Sequence, residues 1–180
     1  YDAPRRVAAA VRRAAPDAES VLDAGCGTGL VGLALRELGC SAAIAGIDLS
    51  PKSVERAQAS GAYTTAQVAD LLEPLPFDDA TFDAVTCVGV LTYVPDVRAI
   101  WDEFCRVVRP GGTIALTQRA DIWDERDCSR VLHEFEGDRR WVVTELSPPA
   151  AYLPGNPDFS DQITVRYLVA RSQPDVQRVR

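Results

Sequence analysis

The sequence predicts an α/β fold: a three-layer sandwich with helices on both faces of a mostly parallel seven-stranded sheet, ending in an antiparallel C-terminal hairpin. Three observations predict it. Short strand signals alternate with helix-period stripes over the first two thirds of the chain. The runs Val21–Ala24 and Phe82–Val90 are apolar nearly throughout, as central strands covered on both faces are. The last two strand-like segments follow one another without a helix between them, which is the pattern of antiparallel neighbours.

The elements follow in order. Val7, Ala10, Val11 and Ala14 recur at helical spacing over Arg5–Ala15, and Pro16-Asp17 ends that helix. Arg5, Arg6, Arg12 and Arg13 lie off its apolar stripe as a solvated face. Val21–Ala24 is the first strand and runs into Gly25-Cys26-Gly27-Thr28-Gly29. A helix then carries Val31, Ala34, Leu35 and Leu38 on one side and stops at Gly39. Ala42–Asp48 is the second strand, and Ser50-Pro51 opens the next helix with a capping hydroxyl and a proline in first position. Tyr63–Asp70 is a weaker third strand and Phe82–Val90 a strong fourth. Val97, Ile100, Trp101, Phe104 and Val108 form another helical stripe, after which Pro110-Gly111-Gly112 turns the chain into a fifth strand, Thr113–Thr117. One helix is expected over Asp124–Glu136, with Cys128, Val131, Leu132 and Phe135 on its inner face. Trp141–Leu146 and Ile163–Ala170 are the closing strands, joined by the proline-rich connection Ser147–Pro157. Residues 1–172 are expected to form a single domain and 173–180 a frayed tail.

Composition narrows the function classes. A chain of 180 residues can bury roughly 70% of its unfolded surface. Its 47% hydrophobic and 25% charged side chains are the balance of a soluble globular domain. The longest apolar stretch, around Val85–Val94, is half the ~20 residues a bilayer-spanning helix needs. Tyr1–Ala15 holds four arginines and no signal-peptide core, so a cytoplasmic location and no membrane partner are expected. With 19 basic against 26 acidic residues the net charge is -7, a poor footing for nucleic-acid binding. The five cysteines form no CxxC pair and there is a single histidine, which disfavours a metal site. Reduced cysteines acting as small apolar residues are expected.

The most informative segment is the glycine loop. A strand entering a glycine-rich turn and then a helix brings backbone N–H groups against a ligand without side-chain obstruction. Two spacings compete there. Gly27-Thr28-Gly29-Leu30-Val31-Gly32 fits GxGxxG, with Asp48 downstream, as in dinucleotide-binding sites of nicotinamide-dependent oxidoreductases. Counted from Gly25, however, Leu30 stands where that pattern wants its third glycine, and an acid, Asp23, sits at the strand end.

Five segments together resemble the class I S-adenosylmethionine-dependent methyltransferases. Asp23-Ala24-Gly25-Cys26-Gly27-Thr28-Gly29 matches their first motif, D/E-x-G-x-G-x-G, and Gly46-Ile47-Asp48-Leu49-Ser50 the second. Ala69-Asp70-Leu71 resembles the third, Phe82-Asp83-Ala84-Val85 the fourth, and Arg109-Pro110-Gly111-Gly112 the turn before strand five. The match is collinear from Ser20 to Thr117. Leu22–Leu38 together with Ala3–Val7 is similar to the small-molecule group typified by the Williams–Beuren-region methyltransferase-like proteins.

The resemblance implies a Rossmann-like fold, S-adenosylmethionine as cofactor and methyl transfer to a small-molecule acceptor. Gly25, Gly27 and Gly29 would let the backbone approach the methionine part, and Asp23 would bind its amino group directly or through water. Asp48 would accept from both ribose hydroxyls. Asp70 and the Leu71 N–H would face adenine, with Leu49 packed on the ring. Cys26 and Cys87 are expected to line this pocket as small groups.

Methyl transfer is an in-line displacement in which the protein mainly holds the nucleophile and excludes water. Tyr93 and Thr92, beyond strand four, are placed where the family contacts the acceptor. Trp123 could wall the acceptor pocket or serve as a core or helix-start tryptophan, and Tyr152 is a weaker candidate. His133, the only histidine, points away from its helix's apolar stripe and reads as a surface residue. No N/D-P-P-Y/F follows strand four, where the chain reads Val88-Gly89-Val90-Leu91, and no Pro-Cys dipeptide exists. These absences favour a small molecule over amide, adenine or cytosine acceptors. The family usually carries a longer N-terminal segment that caps the cofactor. Some twenty residues precede the loop here, so an open cleft or a missing lid is expected to weaken binding and turnover. A cofactor-binding module without turnover is the alternative from another class.

Overall fold

The computed structural model describes residues 1–153 and 163–174. In order they form α1 (Ala3–Ala14), β1 (Ser20–Ala24), α2 (Leu30–Glu37), β2 (Ala43–Asp48), α3 (Pro51–Ala59), β3 (Thr65–Val68) and β4 (Phe82–Cys87). A 3-10 turn at Leu91–Tyr93 leads to α4 (Val97–Val107), β5 (Val108–Arg119), α5 (Ala120–Glu125) and α6 (Cys128–Gly137). The chain ends in β6 (Trp141–Leu146), the two-residue β7 (Ala150–Ala151) and β8 (Thr164–Ser172).

The sheet order is β3-β2-β1-β4-β5-β8-β6, with β7 also on β8. Strands β1 to β5 pair in parallel, whereas β8 is antiparallel to both β5 and β6. The expected C-terminal pairing is therefore present, but the last strand slots between β5 and β6 and leaves β6 at the edge. β1 and β4 lie side by side where the strand order reverses, and in open α/β sheets the crevice at that point is where ligands sit.

Each face of the sheet buries its own core. Val7 and Val11 of α1, Val31 and Leu35 of α2 and Ala57 of α3 cover one side, against Val21, Ile44 and Val169. Ile100, Trp101 and Phe104 of α4, Trp123 of α5 and Phe135 of α6 cover the other, against Leu22, Val85 and Leu116. β4 is buried along its whole length, as its unbroken apolar run predicts. The arginines of α1 are not idle on the surface. Arg6 lies over the Tyr167 ring at 3.8 Å, and Arg13 pairs with Glu145 at 3.2 Å.

Four local expectations are corrected. β4 stops at Cys87 because the chain turns at Gly89, whose φ is +75°, and then winds into the 3-10 turn. The helix expected over Asp124–Glu136 is two helices, broken at Asp127, which is left-handed with φ +47°. β5 begins at Val108 instead of Thr113, with Arg109–Gly112 bulged out of its register with β4. The proline-rich connection contributes β7, and its residues 154–157 lie outside the described residues. Gln173, the first residue of the expected tail, donates its N–H to the Arg140 carbonyl at 2.8 Å. Residues 175–180 lie outside the described residues. Among the described residues no helix is long and apolar enough to cross a membrane.

Candidate functional site

The glycine loop emerges from β1 at the switch point and is tied to the end of β2. The N–H groups of Gly25 and Cys26 both reach the Ile47 carbonyl, at 2.8 and 2.9 Å. Gly25, Gly27 and Gly29 have φ of +75°, +53° and +98°, a region that side chains disfavour, so the loop's path requires glycine. Their surroundings differ. A β-carbon on Gly25 would collide with Val90, whereas one on Gly27 would meet nothing within 4 Å. Gly27 is thus the open floor of the loop.

Asp48, at the end of β2, forms the rim. Its Oδ2 accepts from the Gly27 N–H and its Oδ1 from the Ser50 N–H, both at 2.9 Å. Each carboxylate oxygen has two lone pairs, so one on each remains for a ligand. Asp70 is half-buried further along the same edge, its Oδ1 accepting from the Leu72 N–H at 2.9 Å. Leu71 is half-buried, and Leu49, which follows Asp48, and Leu72 are exposed. Acidic acceptors at two strand ends and an open glycine floor thus share this edge of the sheet.

The resemblance gives Asp23 a role at the ligand's amino group, directly or through water. Asp23 is wholly buried beneath the loop, with Oδ2 accepting from the Tyr63 hydroxyl at 2.6 Å and Oδ1 from Thr86 Oγ1 at 2.8 Å. Burial raises its pKa to about 6 against the opposing bonds from Tyr63 and Thr86, and Asp48 adds to the rise. The two cysteines are packing groups. Cys26 is buried under the loop, and burial with the nearby Asp23 and Asp48 pushes its thiol up to about 12. Cys87 is fully buried in the core and does not face the cleft; burial first, then Asp23, raises its pKa. Neither offers a thiolate.

Tyr63 escaped the sequence reading. Its ring fills the space that side chains at Gly32 and Gly46 would need. That also explains the third glycine of the GxGxxG spacing: Gly32 makes room for Tyr63.

The residues expected to face an acceptor lie beyond β4 and β5. Thr92, Tyr93, Thr117, Arg119 and Tyr152 line a cavity of about 200 Å³ together with the apolar Val165 and its neighbours. Tyr93 is 78% exposed at its mouth. Thr92 is fixed by Gln118 Oε1 at 3.2 Å, and the buried Thr117 Oγ1 accepts from the Gly89 N–H at 3.0 Å. Arg119 pairs with Asp121. Tyr1 meets Tyr152 edge to face at 5.2 Å. Of the two readings of Trp123 the structure takes the core one: it is buried, its Nε1 donating to Ser129 Oγ at 2.8 Å. Tyr152 takes the place in the cavity that Trp123 does not. Arg126, also unforeseen, holds the 3-10 turn by bonding the carbonyls of Leu91, Thr92 and Val94 at 3.0, 2.9 and 2.6 Å. His133 is exposed on α6, its Nδ1 against the Ser129 carbonyl, as its helix phase predicts.

Comparison with known proteins agrees with this geometry. Residues 22–116 match the family model described as a methyltransferase domain. Human methyltransferase-like protein 27 is 40% identical over 169 residues, covering 86% of this chain and 67% of its own length. A ubiquinone biosynthesis O-methyltransferase of Xanthomonas oryzae pv. oryzae is 39% identical over 101 residues, 54% of this chain. The chain spans only 41% of that enzyme's length. In fold it is similar to a geranyl diphosphate methyltransferase solved in complex with S-adenosylmethionine, with a TM-score of 0.69 at 17% identity, covering 94% of this chain and 85% of the other. The chain belongs to the class I S-adenosylmethionine-dependent methyltransferases.

Proposed function

We propose that this chain transfers a methyl group to a small-molecule acceptor held in the cavity between Thr92, Tyr93, Thr117, Arg119 and Tyr152. The observation that carries the reading is Asp48. One carboxylate ties the glycine loop to the start of α3 and keeps a free lone pair on each oxygen at the rim of the open Gly27 floor. S-adenosylmethionine supplies an electrophilic methyl on a sulfonium, so its acceptor needs alignment and dryness more than a covalent partner. Gly25, Gly27 and Gly29 would back its methionine part. Asp48 would take the ribose hydroxyls, Asp70 and the Leu71 N–H the adenine edge, and Leu49 the ring face. Tyr93 and Thr92 then stand between that group and the acceptor cavity. The name of the ubiquinone biosynthesis relatives supports a small organic acceptor.

Calorimetric titration with S-adenosylmethionine, with NADH run in parallel, tests the cofactor. The expected result is saturable binding of the first, abolished by Asp48→Ala, and none of the second. Binding of NADH alone overturns the reading. Turnover of a panel of phenols, amines and thiols with labelled cofactor then separates an enzyme from a binding module.

A further inference from the structure

Helix α2 starts on a residue that cannot cap it. Gly29 is its N-cap and has no side chain to accept the N–H groups of the first turn. Tyr63, 31 residues beyond Gly32, supplies the missing oxygen: its hydroxyl accepts from the Gly32 N–H at 3.0 Å. That is the third position of the helix, where the oxygen of a capping serine or aspartate ordinarily acts. The same hydroxyl donates to Asp23 at 2.6 Å, and the whole network is buried. The ring is held by missing side chains. A β-carbon on Gly32 would lie 2.5 Å from it, on Gly46 2.9 Å and on Gly29 3.1 Å.

We propose that Tyr63 is a positioning residue for the cofactor: a single hydroxyl sets the start of α2 and the placement of the Asp23 carboxylate beneath the glycine loop. This rests on the methyltransferase reading and names a residue that no motif contains. The ionisable groups acting on Asp23 are Asp48 at the end of β2, Tyr63, Cys26 in the loop and Cys87 on β4. None is a cation. An ammonium and a sulfonium arriving above the loop supply the positive charge that the buried carboxylate lacks. Affinity for such a ligand falls as Asp23 takes up a proton. The Tyr63 hydrogen bond opposes that protonation, so its loss moves the fall to higher pH.

The test is calorimetric titration of S-adenosylmethionine into the wild type, Tyr63→Phe and Asp23→Asn from about pH 5 to about pH 7.5, below the range where the ligand's amino group titrates. Tyr63→Phe keeps the ring and removes only the hydroxyl. It is expected to bind about tenfold more weakly at neutral pH, with its acid fall-off displaced upward from the wild type's, which lies near pH 6. Asp23→Asn is expected to bind weakly at every pH with no acid fall-off. A Tyr63→Phe affinity equal to wild type, or a loss of the same size at every pH, overturns the proposal. Should Tyr63→Phe fail to melt cooperatively, Asp23→Asn decides alone, and an acid fall-off that survives in it overturns the proposal. A wild type that binds no S-adenosylmethionine at any pH overturns the methyltransferase reading itself, and this inference with it.

Discussion

Val90 stands where a side chain on Gly25 would have to go: a β-carbon there would lie 2.5 Å from Val90 Cγ1. Gly25 opens the cofactor loop after β1, and Val90 opens the 3-10 turn that carries Thr92 and Tyr93. The contact locks the two halves of the site together across the switch point between β1 and β4. Asp48 performs the same service on the other side, joining the loop to the start of α3 through Gly27 and Ser50.

Two alanine substitutions in the loop are expected to fail differently. Gly25→Ala combines left-handed strain with overpacking against Val90 and is expected to cost about 3 kcal/mol. Gly27→Ala meets no neighbour, so only the strain of about 1–2 kcal/mol applies. Its new methyl, however, projects into the open floor, and cofactor affinity is expected to fall further than stability does. Urea midpoints and cofactor titration on both variants check this. Wild-type affinity in Gly27→Ala would place the cofactor elsewhere.

Asp83 belongs to the segment that resembles the family's fourth motif, yet it lies at the opposite edge of the sheet from the glycine loop. It is buried and accepts from the N–H groups of Glu19 and Ser20 at 2.6 and 3.0 Å, with Arg109 at 2.7 Å. Asp83→Ala leaves two part-buried N–H donors without their carboxylate and is expected to cost about 1–2 kcal/mol, the half-exposed Arg109 adding little. Cofactor affinity, measured where the variant is folded, is expected to be unchanged. A tenfold loss of affinity would contradict a purely structural role.

Arg126 is expected to act on the acceptor side alone. Its three carbonyl contacts hold the turn bearing Thr92 and Tyr93, and Arg126→Ala frees that turn. Amide hydrogen exchange is expected to quicken at Thr92–Val94 while the glycine loop keeps its protection and its affinity for cofactor. Equal quickening at both sites would mean that the substitution loosens the whole fold.

The edge proposed to hold the cofactor was legible as local structure because its residues are contiguous: a strand end, a glycine loop and an acid at the next strand end carry their own local signals. What stayed hidden depends on contacts made far apart in the chain. Tyr63 reads as the first residue of a weak strand, and only the closed fold brings it to Gly32 and Asp23. Arg126 looks like one more helical arginine until the 3-10 turn presents it with carbonyls. Trp123 stayed open between pocket and core, and Cys87 was expected at the pocket, for the converse reason. An element's position along the edge can be inferred from sequence, but which side of it faces the core depends on the break at Asp127 and the early end of β4. The insertion of β8 between β5 and β6 likewise has no local signature, since two adjacent strands look the same in either order.

Asp23 makes a prediction about stability that runs opposite to its effect on binding. Its folded pKa of about 6 lies above its ordinary value of 3.8, chiefly because burial penalises the charge. The unliganded fold therefore prefers the neutral acid. The contribution is fully present below pH 3.8 and is lost as pH rises through 6, a difference of about 3 kcal/mol. Other carboxylates work the other way: Asp121 is held below its usual range by Arg119 and loses its advantage in acid. The clean quantity is thus the stability of the wild type minus that of Asp23→Asn, from urea unfolding at about pH 4.5 and about pH 7. That difference is expected to favour the wild type more strongly at the lower pH. A saturating cationic cofactor is expected to narrow the gap between the two pH values by supplying the missing positive charge. If the difference is the same at both pH values, Asp23 ionises in the fold as it does in the open chain, and the balance between the buried carboxylate and its cationic ligand does not exist.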